Sequence, residues 1–114
     1  METRFELRIY RDRMVLSDGK TGQQLDRRAS MPFSSTRLLV ADTDAAGELL
    51  KTMIREMAGH ARWLSWPSAM MVPMDLCEGG LSAVELGALR TLGGEAGFRK
   101  ILVHEAGHQP FALA

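Results

Sequence analysis

A chain of 114 residues with 46% hydrophobic and 25% charged residues has room for one domain and one core, and its composition excludes a disordered chain. Fourteen Lys and Arg balance 14 Asp and Glu, so the chain as a whole offers no electrostatic case for nucleic acid or an anionic membrane. A single cysteine, Cys77, excludes an internal disulfide; no apolar run approaches the ~18–20 residues that span a bilayer, and no secretory signal pattern is present, so a cytoplasmic location is expected.

Phe5, Leu7 and Ile9 alternate with Glu6, Arg8 and Tyr10, the period of a half-buried strand. Arg11-Asp12-Arg13 reads as a polar turn, and Met14-Val15-Leu16 begins a second strand. Asp18-Gly19 and Gly22 mark the next turn, and Gln23 to Ala29 follows as a third strand with Leu25 facing inward. The first third of the chain is thus expected to be an antiparallel meander, broken at Pro32 and Ser34-Ser35. Leu38-Leu39-Val40 is either a strand end or a docked loop.

A helix is expected next, capped by Asp42 or Asp44, whose carboxylates can accept from free backbone amides. Its apolar face is Ala46, Leu49, Leu50, Met53, Ile54 and Met57, and Gly59 ends it. Trp63 to Pro67 is a connection carrying two large aromatics. Ala69 to Val72 reads as a buried strand that Pro73 terminates, since proline cannot donate to a ladder.

The second helix, Ser82 to Leu92, has the clearest signature. Ser82 and Glu85 form a capping box, and Leu81 and Leu86 stand at staple positions. Leu86, Leu89 and Leu92 make an apolar stripe, and Gly93-Gly94 is expected to stop the helix. Ile101-Leu102-Val103 is a last buried strand, parallel to and neighbouring Ala69–Val72 by the crossover rule. Phe111 to Ala114 is a tail that frays or docks. The expected order is β-β-β-α-β-α-β in a mixed α/β sheet, the pattern of ribonuclease-H-like domains and of half of each large actin domain.

Several stretches carry a resemblance. Phe33-Ser34, Arg37-Leu38-Leu39-Val40-Ala41 and Glu78-Gly79-Gly80-Leu81-Ser82-x-Val84-Glu85 resemble the small bacterial YjaA-type proteins of unknown function, over nearly the whole chain. More distantly, Arg37 to Asp42 leading into Glu48-Leu49-Leu50-Lys51-Thr52-Met53, with Met70-Met71-Val72-Pro73 and Lys100-Ile101-Leu102-Val103-His104-Glu105, resembles a subdomain of the actin-like shape protein MreB. That resemblance implies a ribonuclease-H-like or actin-like half-domain and a link to cell-shape machinery. Actin-like ATPases hold phosphate with a glycine-containing hairpin between their first two strands and a loop of a second domain. Tyr10-Arg11-Asp12-Arg13 has no glycine and a second domain is not expected, so neither ATP hydrolysis nor a bound cofactor is expected.

Three motifs need weighing. His104-Glu105-x-x-His108 matches the zinc-protease pattern, in which a helix sets both imidazoles on one face and the glutamate serves as general base. Here it follows a strand, contains Gly107 and meets Pro110, so a strand end and loop is the simpler reading. A small zinc-dependent hydrolase using these residues is the alternative function. Gly19-Lys20-Thr21 resembles the end of a phosphate loop, but Met14 stands where the first glycine belongs and no helix follows. Cys77, beside Asp75 and Glu78, has surroundings that disfavour a thiolate.

Residues 1–40 carry eight bases against five acids, and the remainder six against nine. Complementary halves of this kind permit self-association, though a solvated surface explains them as well. Met53, Met57, Met70, Met71 and Met74 read mostly as core. Trp63 and Trp66, in a connection, are the candidate interaction residues, since aromatic anchors are enriched at interfaces. The function expected is therefore a non-enzymatic cytoplasmic protein–protein interaction module with a protein partner or a second copy, without nucleic acid or membrane insertion.

Overall fold

The computed structural model describes residues 4–58, 68–75, 80–105 and 107–113. Strands β1 (Phe5–Tyr10), β2 (Arg13–Asp18) and β3 (Gln24–Arg28) are followed by helix α1 (Thr43–Ala58), strand β4 (Ser68–Pro73), helix α2 (Ala83–Glu95) and strands β5 (Lys100–Val103) and β6 (Phe111–Ala112). All six strands join one mixed sheet in the spatial order β3-β2-β1-β4-β5-β6. The meander is antiparallel, β1 to β4 and β4 to β5 are parallel, and β6 returns antiparallel to β5.

Both helices lie on one face. Phe5, Leu7 and Ile9 of β1 are buried while their alternating neighbours are half-buried, so period two sorts the sheet into an inner and an outer side. Register carries that inner side across the strands, Leu25 to Leu16 to Leu7 to Met71 to Val103. Arg27, two residues on from Leu25, reaches Glu56 of α1 at 2.9 Å, which sets α1 on this side. A methyl group placed on Gly93 of α2 would lie 2.5 Å from Ile101 Cδ1 and 2.9 Å from Met71 Cε, which sets α2 there too. Between sheet and helices lie Phe5, Leu7, Ile9, Leu16, Leu50, Met53, Met71, Leu92, Ile101 and Val103, all essentially inaccessible. Each such side chain contributes about 1.5–3 kcal/mol by leaving water.

The helix starts follow the expected chemistry. Asp42 rather than Asp44 caps α1, its Oδ1 accepting from the Ala45 amide at 3.0 Å. Ser82 Oγ accepts from the Glu85 amide and donates to the Glu85 carboxylate, at 3.3 and 3.1 Å, and Leu81 packs on the core. Leu89 and Leu92 are buried as the stripe requires.

Four details differ from the sequence reading or complete it. Gly93-Gly94 does not stop α2: the helix continues to Glu95, because Gly93 is needed where α2 comes closest to β4 and β5. Gly97, at φ +97°, ends it instead, with the Phe98 amide donating to Gly93 O and the Gly97 amide to Gly94 O, the two bonds of a Schellman motif. The C-terminal tail docks: Phe111–Ala112 pair with β5 and the Leu113 amide donates to Ile101 O at 2.7 Å. Leu38–Val40 forms no strand but a docked loop, with Leu39 and Val40 buried. Of the methionines read as core, Met53 and Met71 are buried and Met57 and Met70 half-buried, whereas Met74 is 42% exposed. Gly59, where α1 was expected to end, lies outside the described residues. No helix among the described residues is long and apolar enough to cross a membrane.

Candidate functional site

In open sheets with parallel strands, ligands are held beyond the carboxyl ends of the strands, where the chain's progress across the sheet reverses. That point falls between β1 and β4: the chain moves outward from β1 to β3, then crosses through α1 to β4 on the other side of β1. The β1–β2 turn, the loop around Phe33–Ser35, the Met74–Asp75 segment and the approach to α2 come together there.

Polar groups at this end are already engaged. The Arg11 amide donates to Asp75 Oδ2 at 2.9 Å, and the Met74 amide to Ile9 O at 2.8 Å. Asp12, at φ +53°, accepts at one carboxylate oxygen from the Phe33 and Ser34 amides, at 2.9 and 2.8 Å. Its own amide donates to Ser34 Oγ at 3.0 Å, and the Arg11 guanidinium donates to Ser35 O at 3.2 Å. Glu105 Oε1 accepts from the Leu81 amide at 2.8 Å, just before the Ser82 cap of α2. Three carboxylates, Asp12, Asp75 and Glu105, therefore sit on backbone amides at the end of the sheet where an anionic ligand would be held. Neighbouring negative charge of this kind repels a phosphate.

His104 and His108 are near this end but not arranged as a helical pair. The His104 amide continues the β5 ladder by donating to Met71 O at 2.9 Å, and the His108 amide closes a turn on Glu105 O at 3.0 Å with Gly107 at φ +79°. A strand end followed by a turn does not present two imidazoles one helical turn apart, and the Glu105 carboxylate is spent on Leu81. Among the described residues no group of three or more His, Cys, Asp or Glu is placed to hold a metal ion. Trp63 and Trp66, the expected interaction residues, and Cys77 lie outside the described residues.

Gly19-Lys20-Thr21 is a turn at the opposite end. The Lys20 amide donates to Asp18 Oδ1 at 2.9 Å and the Gln23 amide to Thr21 Oγ1 at 3.3 Å, and β3, not a helix, follows. Asp18 is the buried acid of this corner, 4% exposed, with the Arg4 guanidinium at 3.4 Å. Burial opposes its ionisation, but the Lys20 amide, Arg4 and the Thr21 amide outweigh burial and hold its pKa below the ordinary carboxylate value.

A groove of about 440 Å³ runs between the end of β3 and the first turns of α1, with Ala29, Met31, Ala45 and Leu49 as apolar lining and Asp44 and Glu48 on the helix side. Met31 is 68% exposed. Sequence reasoning missed the roles of Asp12 and Asp75. The signal available for Asp12 was an aspartate in a two-residue turn, a residue type that tolerates positive φ. Nothing local marks Asp75, whose partner is 64 residues away.

No protein-family model matches the chain, and no curated protein matches it.

Proposed function

We propose that this chain is a non-enzymatic interaction module built on half of a ribonuclease-H-like, actin-type domain, and that it works by contact with an actin-like protein of the MreB type. The observation that carries this reading is the occupation of the ligand-holding end of the sheet by the chain's own carboxylates. In an actin-type nucleotide site the first hairpin offers bare amides to phosphate; here Asp75 already sits on the Arg11 amide, with Asp12 and Glu105 engaged nearby. The half-domain assignment is supported by the run β3-β2-β1-β4-β5, in which β2 alone opposes the others, produced by a meander and two helical crossovers. Trp63 and Trp66 are the proposed contact residues, as large aromatics that gain most from being covered by a partner.

The test is co-sedimentation of the purified chain with polymerised MreB-type filaments, with thermal melting in magnesium-ATP run in parallel. The chain is expected to pellet with filaments, to lose that behaviour when Trp63 and Trp66 are changed to alanine, and to melt within about 1 °C of its ligand-free value in ATP. Failure to pellet removes the proposed partner. A nucleotide-dependent rise of several degrees removes the non-enzymatic reading.

A further inference from the structure

Strand β3 is an open edge. It pairs along its length with β2 and, among the described residues, with nothing on its other side. The polarity of its ladder is fixed by the bonds at its two ends, Asp18 amide to Gln23 O and Ala29 amide to Asp12 O. These turn the backbone groups of residues 23, 25, 27 and 29 toward β2, so those of Gln24, Asp26 and Arg28 point outward from the edge. Side chains alternate in step with this. Leu25, Arg27 and Ala29 stand on the helix side, where Leu25 and Ala29 are half-buried against the core, and Gln24, Asp26 and Arg28 stand exposed on the other side.

Edge strands commonly carry charges that keep other chains away. On the outer side of this edge one acid and one base, Asp26 and Arg28, stand two residues apart, a spacing that is self-complementary about Arg27; Asp26 also accepts from Arg13 of its own chain at 2.9 and 3.2 Å. We propose that two copies of the chain pair through β3, antiparallel, about a two-fold axis at Arg27. In this register Asp26 of each copy faces Arg28 of the other, and this happens twice because the interface is isologous. Their outward backbone groups are the ones that bond across the axis. On the helix side Leu25 faces Ala29 of the second copy, also twice, so apolar meets apolar. Arg27 meets its equivalent at the axis, where each guanidinium is already paired with Glu56 at 2.9 Å. Registers centred on Asp26 or on Arg28 also set like charges opposite each other, and they lack the two Asp26–Arg28 contacts that offset the Arg27 pair.

The proposal uses the interaction reading only in treating a sheet edge as a contact surface, and it stands or falls separately from filament binding. One short strand pair is a small contact, so association in the micromolar range is expected. Sedimentation equilibrium from about 1 to about 200 μM should show the 12.6 kDa chain passing to a dimer. Arg28→Asp places carboxylate against carboxylate, and Asp26→Arg places guanidinium against guanidinium. Each variant, checked for native circular dichroism, should dimerise about tenfold more weakly or worse.

Mixing the two variants restores opposite charges at both contacts and should recover the dimer as a heterodimer, which a merely structural defect in either would not do. A wild-type chain that stays monomeric throughout the range overturns the proposal. So do single variants that dimerise like wild type, or a mixture that does not associate.

Discussion

Asp18 ties the amino end of β1 to the β2–β3 turn, and its ionisation state is the most direct handle on this corner of the fold. Its carboxylate accepts from the Lys20 amide and pairs with Arg4 while nearly inaccessible to water. A folded pKa held below the unfolded value means that the carboxylate stabilises the native state above the unfolded pKa, and that this contribution is lost as pH falls through the folded one. Asp18→Asn is therefore expected to cost about 1–2 kcal/mol at pH 7, with the gap to wild type closing below about pH 4; urea unfolding at pH 7 and about pH 3 checks this. Glycines give the second residue-scale expectation. Gly87 of α2 has open space around it, so Gly87→Ala should raise stability by up to about 1 kcal/mol. Gly93→Ala drives a methyl into Ile101 and Met71, and overpacking of about 1–3 kcal/mol should exceed the helical gain. Thermal melts of the two variants should move in opposite directions.

At the scale of elements, what could be read in the chain follows from how local the determinant is. The Ser82 and Asp42 caps and the period-two alternation of β1 are short-range patterns and appear as expected, while the Glu85 carboxylate meets Ser82 Oγ rather than the Ser82 amide that a full capping box requires. The end of α2 was misread because glycine serves two purposes, closing a helix and admitting a neighbour. Spacing does not separate Gly93, which admits Ile101, from Gly97, which turns left-handed. Gly97→Ala should cost about 1–2 kcal/mol, because a β-carbon at φ +97° is strained, whereas Gly94→Ala has room. Strand β6 was missed for another reason. Two residues have no period, and Phe111–Ala112 are a strand only because β5 offers them an edge.

For the whole molecule, the helical crossovers and the parallel pairing of β4 with β5 were legible, since a βαβ unit admits few arrangements. The crowding of carboxylates at the carboxyl end of the parallel strands was not legible. Asp12 meets Phe33 and Ser34 across about twenty residues of sequence, and Asp75 and Glu105 reach amides at separations of 64 and 24. Such pairings are products of the assembled sheet. Replacing Asp75 by alanine should leave the fold intact, as its contact is exposed, and circular dichroism with a melt within about 2 °C of wild type would support that.

The central position of β1 also has a consequence for how the chain is made. Its partner on one side, β2, follows within a few residues, but its partner on the other, β4, is some sixty residues later. During synthesis, at roughly 5–20 residues per second, β1 waits several seconds with one flank unpaired. In that interval the strand destined for the middle of the sheet is an outer strand, with Phe5, Leu7 and Ile9 lacking their cover. Released chains ending before Ser68 should be cut by protease in the meander, and chains extended through β5 and β6 should resist.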